Sequence, residues 1–390
     1  MNLLIFTNSL AGGGAERVVA TLANHWARRL WTVTVVTLAP ASDDFYALDP
    51  RVSRIALDLS LPSRGAVDAL RQNLRRIVAL RRAITQAQPT VAVSMMSTPN
   101  VLLAFASRGI TGLCSIGSER CYPPHFPLGR VWSALRRIMY GRLSAVVALT
   151  KEGAQWIGSH SCAKCVTVIP NAASWPLSQH FPRIDPGLLR PAGRKILLAV
   201  GRLDTVKNFS LLIRVFAQLA GRHPDWDLVI LGEGPERAVL EKAVHDLTGD
   251  GRVHLPGIAG NVGEWYARAD LYVMSSRSEG FPNSLAEAMA HGLPAVSFDC
   301  NTGPRDIIRH GTDGLLVPPD DPAALMAGMD RLMGDSELRA GFASRARDAR
   351  ERFSLERVAG MWEDLFRELA PTRLPSRTGK QFASRNGRWQ

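Results

Sequence analysis

Leu271-Tyr272-Val273-Met274-Ser275-Ser276-Arg277-Ser278-Glu279-Gly280-Phe281-Pro282-Asn283-Ser284-Leu285-Ala286-Glu287 is a strand, a tight turn and the start of a helix in seventeen residues. Leu271 to Met274 is a short apolar run of buried-strand type, and Leu285, Ala286, Ala288, Met289 and Ala290 begin an apolar helical pattern. Two carboxylates, Glu279 and Glu287, flank the turn eight positions apart. Such a turn aims backbone N–H groups and the positive end of a helix at one spot, which suits a phosphate, while carboxylates accept hydrogen bonds from hydroxyls. A nucleotide sugar carries both groups. Glu287 has a second reading, because Ser284 three residues before it makes a capping box in which the carboxylate bonds a backbone N–H at the helix start. Glu279 precedes a glycine outside the helix, where no cap requires a carboxylate.

The same alternation of strand and helix runs outward in both directions. Toward the N-terminus, Leu3 to Phe6, Val33 to Thr37, Val91 to Ser94, Ala145 to Leu149 and Val166 to Ile169 are β-type runs separated by helical patterns. Pro170 to Pro191 interrupts the series with five prolines. A second series follows: Lys195 to Val200, Asp227 to Leu231, Val253 to Leu255, Leu271 to Met274, Ala295 to Phe298 and Gly314 to Val317. The expectation is an α/β protein of two Rossmann-like domains facing each other across a cleft. Its divisions are residues 1–175, a linker at 176–194, a second domain at 195–354, a helix at 355–370 packing back on the first domain, and a basic disordered tail at 371–390. In such sheets ligands sit beyond the C-terminal ends of the strands.

The loops at those strand ends carry the chemistry. Gly12-Gly13-Gly14 leads into a helix, but it lacks the lysine and hydroxyl of a Walker loop and the register of a dinucleotide fingerprint. Arg202 and Lys207 follow the first strand of the second domain, within reach of a diphosphate, although a solvated surface pair is the plainer reading of two cations. Gly232-Glu233-Gly234-Pro235 and Thr302-Gly303-Pro304-Arg305-Asp306 follow later strands.

Composition narrows the partners. The chain has 390 residues, 46% of them hydrophobic, which fits ordinary globular burial in two domains. No apolar stretch reaches bilayer length, and the opening Met1 to Phe6 lacks the pattern of a signal peptide, so a cytosolic protein is expected. Five scattered cysteines predict reduced thiols; the lone Cys162, Cys165 pair beside His160 has no second ligand pair for zinc. The net charge of +12 is uneven, with 19 Lys and Arg against 8 Asp and Glu in residues 1–175. No basic run interleaved with aromatics, zinc finger or RNA-binding signature accompanies it, so anionic lipid fits better than nucleic acid. Two segments mix arginine with apolar residues at helical spacing. One spans Arg64 to Gln86, with Arg71, Arg75, Arg76, Arg81 and Arg82; the other holds Arg130, Arg136, Arg137 and Arg142 among Trp132 and Tyr140. The second is the stronger candidate for the membrane interface on its aromatics; the competing reading packs each apolar face on the core.

The combination of GGGAERV, VGRLDTVKN, LGEGPE, SEGFPNSLAEAMAHGLPAV and TGPRDIIRHGTDGLLVPPDD resembles glycosyltransferase family 4, the retaining group of the GT-B fold, up to about Leu369. The stretches SFDCNTGPRDII and Gly117-Ser118-Glu119-Arg120 further resemble bacterial enzymes that add hexoses or N-acetylhexosamines to polyprenyl-diphosphate-linked glycans. The resemblance implies that Glu287 bonds ribose hydroxyls, Glu279 a donor-sugar hydroxyl, and Arg202 and Lys207 the diphosphate. It further implies that Gly280, Phe281, Asn283 and Ser284 border the donor at the helix start, and that Gly13 and Gly14 close on it from the first domain. Glu279, Arg202 and Lys207 are then the expected catalytic set, with no metal and no cofactor beyond the nucleotide sugar as co-substrate, for which the resemblance implies a UDP-linked sugar. The acceptor would be a lipid-linked oligosaccharide at the cytoplasmic face of the inner membrane, in exopolysaccharide or lipopolysaccharide synthesis. Many members carry a first-domain histidine near the reacting sugar; here Ile116 to Arg120 occupies that stretch, which leaves Glu119 and Arg120 as candidates for acceptor or donor contacts or as a structural ion pair, and His125 lies a few residues on. Other readings on the same fold are a GDP-mannose-using transferase, a UDP-sugar epimerase, a phosphorylase with lysine-bound pyridoxal phosphate, and a non-catalytic nucleotide-sugar sensor.

Overall fold

A computed structural model describes residues 1–61, 64–189, 193–247, 249 and 251–370. The proposed tail at 371–390 lies outside the described residues. Seven parallel strands form the first sheet: β1 (Asn2–Thr7), β2 (Thr32–Thr37), β3 (Val52–Ala56), β4 (Val91–Met95), β5 (Cys114–Ser118), β6 (Ala145–Ala148) and β7 (Val166–Val168), in the order β3-β2-β1-β4-β5-β6-β7. Six more form the second: β8 (Lys195–Val200), β9 (Trp226–Leu231), β10 (Val253–Gly257), β11 (Leu271–Met274), β12 (Ala295–Phe298) and β13 (Gly314–Val317), in the order β10-β9-β8-β11-β12-β13. Strand order reverses direction at β1/β4 in one sheet and at β8/β11 in the other, so each domain has one switch point where a crevice opens.

Alternation of side chains explains why both faces are covered. In the second sheet Leu197, Ala199, Leu228 and Ile230 enter one core, while Ile196, Leu198, Val229 and Leu231 enter the other. In the first sheet Leu3 and Ile5 face one layer of helices, and Leu4 and Phe6 the opposite one. The helix Leu355–Leu369 leaves the second domain and packs on the first, where Val358, Trp362, Leu365 and Phe366 join Trp26 and Ala23. Trp26 donates from Nε1 to Glu363 at 3.3 Å, Arg29 pairs with the same carboxylate at 2.7 Å, and the Trp26 and Phe366 rings lie 5.6 Å apart.

Two strands are additional to the series read from the sequence, β3 and β5. β3 is an edge strand with Arg54 at its centre, and β5 reads Cys-Ser-Ile-Gly-Ser, without the apolar run that marks a buried strand.

Candidate active site

The two switch points face each other, and the loops that leave them line a cavity of about 620 Å³. Asn8, Gly14 and Glu16 come from beyond β1, Ser97 and Thr98 from beyond β4, and Arg120 and Cys121 from beyond β5. The second domain contributes Arg202 from beyond β8 and Glu279, Gly280, Phe281 and Asn283 from beyond β11.

The loop after β8 is shaped by Asp204, whose Oδ1 accepts from the backbone N–H groups of Val206 and Lys207, each at 3.1 Å. This curls the chain so that Lys207 projects at Glu279, with Nζ to Oε1 at 2.7 Å. Ser276 donates to the same oxygen at 2.6 Å, and the Thr302 hydroxyl donates to the Glu279 carbonyl, so the side chain and the backbone of Glu279 are both held. Burial opposes the Lys207 charge, but the neighbouring carboxylate outweighs it and leaves the ammonium above its ordinary pKa. Arg202 is exposed at the cavity wall.

Gly232 and Gly280 serve close approach. Gly232 adopts φ of +147°, and a Cβ there would lie 1.9 Å from the Gly201 carbonyl oxygen; the second glycine-containing loop thus braces the Arg202 loop. A Cβ on Gly280 would lie 2.8 Å from the Arg120 carbonyl oxygen and 3.0 Å from Cys121 Cα, backbone atoms of the opposite domain. Gly13 is extended, with φ of −145°, and caps the helix Gly14–Arg28. Gly14 faces Asn283 across the cleft.

Glu287 departs from its capping reading. The helix Asn283–Ala290 is preceded by Pro282, so Ser284 stands inside the first turn and Glu287 beyond the capping position. Ser284 instead accepts from the Tyr272 hydroxyl at 2.9 Å. The Glu287 carboxylate is 6% exposed, pairs with Arg17 of the first domain, and lies beside the Tyr266 hydroxyl. Burial raises its pKa, Arg17 opposes that rise, and burial wins. Arg17 itself is held above its usual value chiefly by Glu287.

Glu119 and Arg120 do not pair with each other. Glu119 is buried inside the first domain, accepting from Ser97 Oγ at 2.9 Å and from the Tyr140 hydroxyl, with its pKa pushed up by burial. Arg120 reaches the cavity, donating to Asn171 Oδ1 and to Ser118 Oγ at 3.3 Å; burial lowers it to about 10. Asn171 passes the connection on to Asn283 at 2.8 Å. His125 Nδ1 meets Ser278 Oγ across the cleft. Arg17, Asn171 and Tyr266 carried no assigned role in the sequence. Arg17 had one local signal, a cation one turn into the helix that follows the glycines.

The match to known proteins spans both domains. Residues 12–174 match Glycosyltransferase Family 4, and residues 181–349 match Glycosyl transferases group 1. The chain is 30% identical to an exopolysaccharide phosphotransferase of Streptomyces coelicolor over 96% of its own length, spanning 41% of that longer protein. It is 27% identical to the amylovoran biosynthesis glycosyltransferase AmsD of Erwinia amylovora, with 93% of this chain and 99% of AmsD covered. A Campylobacter jejuni α-1,4-N-acetyl-D-galactosaminyltransferase acting on a diphospho-undecaprenol-linked glycan is 25% identical, with 95% and 99% covered. Among solved structures, sucrose-phosphate synthase from Thermosynechococcus elongatus superposes with a TM-score of 0.80 at 19% identity, covering 96% of this chain and all of that one. Anabaena HepE in complex with UDP superposes at 0.75 and 18% identity, covering 94% and all of its chain. With both switch-point crevices facing one cavity and both halves of the chain matched, the protein belongs to glycosyltransferase family 4 and has the GT-B fold.

Proposed function

We propose that this chain transfers a hexose or N-acetylhexosamine from a nucleotide-diphosphate sugar, UDP-linked, to a lipid-linked oligosaccharide with retention of anomeric configuration. The observation that carries the reading is the Lys207 to Glu279 pair at 2.7 Å, whose Glu279 lines the cavity with Arg202 next to the start of the helix Asn283–Ala290. As the bond from the sugar C1 to the diphosphate breaks, negative charge grows on the leaving oxygen. Cations and N–H groups already fixed around it stabilise that charge without reorganising. In this reading Lys207 and Arg202 face the diphosphate, and the backbone from Gly280 to Ser284, except Pro282, offers N–H donors. Glu279 takes a donor-sugar hydroxyl and Glu287 the ribose. The acceptor oxygen attacks C1 on the face the diphosphate leaves, its proton passing to a leaving-group phosphate oxygen, so no protein nucleophile and no metal is required.

The relatives support the substrate class: two Campylobacter proteins act on diphospho-undecaprenol glycans, and HepE has been solved with UDP and with UDP-glucose. A surface of the first domain suits a lipid acceptor. The helix Ala66–Ala87 exposes Val67, Leu70, Leu74 and Val78 in one stripe beside exposed Arg71, Arg75 and Arg82, a composition that suits the anionic cytoplasmic face of a bilayer. No helix among the described residues is long and apolar enough to cross a membrane. The decisive assay is transfer of radiolabelled sugar from a UDP-sugar panel to a polyprenyl-diphosphate glycan, with product stereochemistry read by NMR. Lys207→Ala and Glu279→Ala are expected to lose at least about 10²-fold in rate. Full transfer by either variant would sink the assignment of that residue.

A further inference from the structure

The carboxylate of Glu287 is engaged by Arg17 of the opposite domain. Glu287 sits in a buried place on the helix Asn283–Ala290, with Tyr266 beside it, while the Arg17 side chain is 36% exposed and reaches in from the helix that begins at Gly14. The Arg17 Nη2 donates to Glu287 Oε1, so a ribose diol that bonds both carboxylate oxygens must take that position from the guanidinium.

We infer that Arg17 is a placeholder for the ribose: it occupies the Glu287 carboxylate and holds the two domains together at this point until the donor's hydroxyls displace it. The inference rests on the reading of Glu287 as the ribose ligand. Arg17 is a positioning residue in this scheme, and its cost falls on donor binding. The contact also spans the domains, so the exchange couples nucleotide entry to release of one interdomain tether. Asn171 to Asn283 and His125 to Ser278 remain as the other polar links across the cleft near the cavity.

The scheme makes a prediction that a simple brace or a direct phosphate ligand does not. Removing Arg17 should tighten binding only for ligands that present ribose hydroxyls. The probes are UDP and 2′,3′-dideoxy-UDP, titrated calorimetrically at pH 8 into the full chain and into Arg17→Ala and Arg17→Lys, with thermal midpoints recorded to verify folding. The wild type is expected to prefer UDP over the dideoxy compound. Arg17→Ala should bind UDP roughly five-fold or more tighter, the scale of one partly exposed ion pair, and leave dideoxy-UDP unchanged. Arg17→Lys, which keeps the charge on a shorter side chain, should fall between. In turnover the gain should show as a lower KM for the donor. Weaker or unaltered UDP binding by Arg17→Ala, with the wild-type preference for UDP intact, overturns the placeholder role alone. Equal loss for both ligands would make Arg17 a diphosphate contact and also overturn it. A wild type that does not distinguish the two ligands refutes the ribose role of Glu287, and the inference with it.

Discussion

Asp306 offers a quantitative test of how the two domains meet. It lies in the short helix Pro304–Ile307 after β12, half-buried, where its carboxylate faces the N-terminus of the helix Lys151–His160 of the first domain and comes close to Glu152. Burial and, secondarily, the Glu152 charge raise its pKa from an ordinary 3.8 to about 6, and one oxygen has no hydrogen-bond partner. The folded protein therefore holds more protons at this site than the unfolded chain between those two values. Stability falls as pH rises through that window, and the full penalty is present above pH 6. A rise of about two units corresponds to at most about 3 kcal/mol, and partial solvent exposure reduces the expected penalty to roughly 1–2 kcal/mol. Asp306→Asn keeps the shape and an acceptor for the backbone N–H groups while removing the charge. At pH 8 its thermal midpoint should exceed the wild type by on the order of 2–8 °C, taking roughly 2–4 °C per kcal/mol for a domain of this size. At pH 4 the wild-type carboxyl is already protonated in the folded state, and the two midpoints should converge. Differential scanning at pH 4, 5, 6, 7 and 8 gives the profile directly. A variant that is equally or less stable than wild type at pH 8, or one whose advantage does not shrink toward pH 4, would refute the argument that a buried charge is held at the domain junction. Glu152→Gln should give a smaller gain over the same window, because it removes only the second cause.

Three further outcomes are expected. Gly280→Ala places a methyl against the Arg120 and Cys121 backbone, so the domains must separate by a fraction of an ångström; transfer should fall on the order of 10²-fold while circular dichroism and the thermal midpoint change little. Trp362→Ala should lower stability by about 3–5 kcal/mol in urea melts, since the ring is 1% exposed and ties the last helix to the first domain. Replacing Leu70 and Leu74 together by Glu should abolish flotation with vesicles of anionic phospholipid and leave transfer to a water-soluble, short-chain acceptor intact; unchanged flotation would place the membrane contact elsewhere.

The sequence conveyed the fold wherever strands are buried on both faces, because those segments must be apolar runs: β1, β2, β4 and, in the second sheet, β8, β9, β11, β12 and β13 stand out on that basis. It was silent where burial is met by small or polar side chains. β5 is fully buried yet contains two serines and a glycine, and the reason lies in its surroundings. Asn100 accepts at Oδ1 from the Ser118 backbone and from Ser94 Oγ, and a Cβ on Gly117 would lie 2.7 Å from Leu143, so the strand has no room for larger residues. None of those neighbours is adjacent in the chain. The site divides in the same way. Glycines and charges at strand ends are local signals, and they pointed to the Arg202, Lys207 and Glu279 loops. The partner of Glu287 could not be read, since Arg17 lies 270 residues away and on the other domain.

The arginine helices show how a composition argument fails when it counts residues without their directions. The helix Arg130–Met139 has the aromatics of a membrane-interface segment, but Arg136 is buried with its guanidinium 4.7 Å from the Trp156 ring, and Trp132 and Leu135 pack against the first-domain core. Its exposed large apolar residues reduce to Val131 and Ile138. The helix Ala66–Ala87, the weaker candidate by composition, commits Arg76 and Arg81 to the carbonyls of Leu59 and Ala106. Arg71, Arg75 and Arg82 remain outside, with an apolar stripe four residues long that lacks a partner among the described residues. An interfacial helix needs its apolar stripe and its free cations on the same exposed side. By that criterion the first of the two helices, and not the second, is the surface that fits the proposed membrane contact.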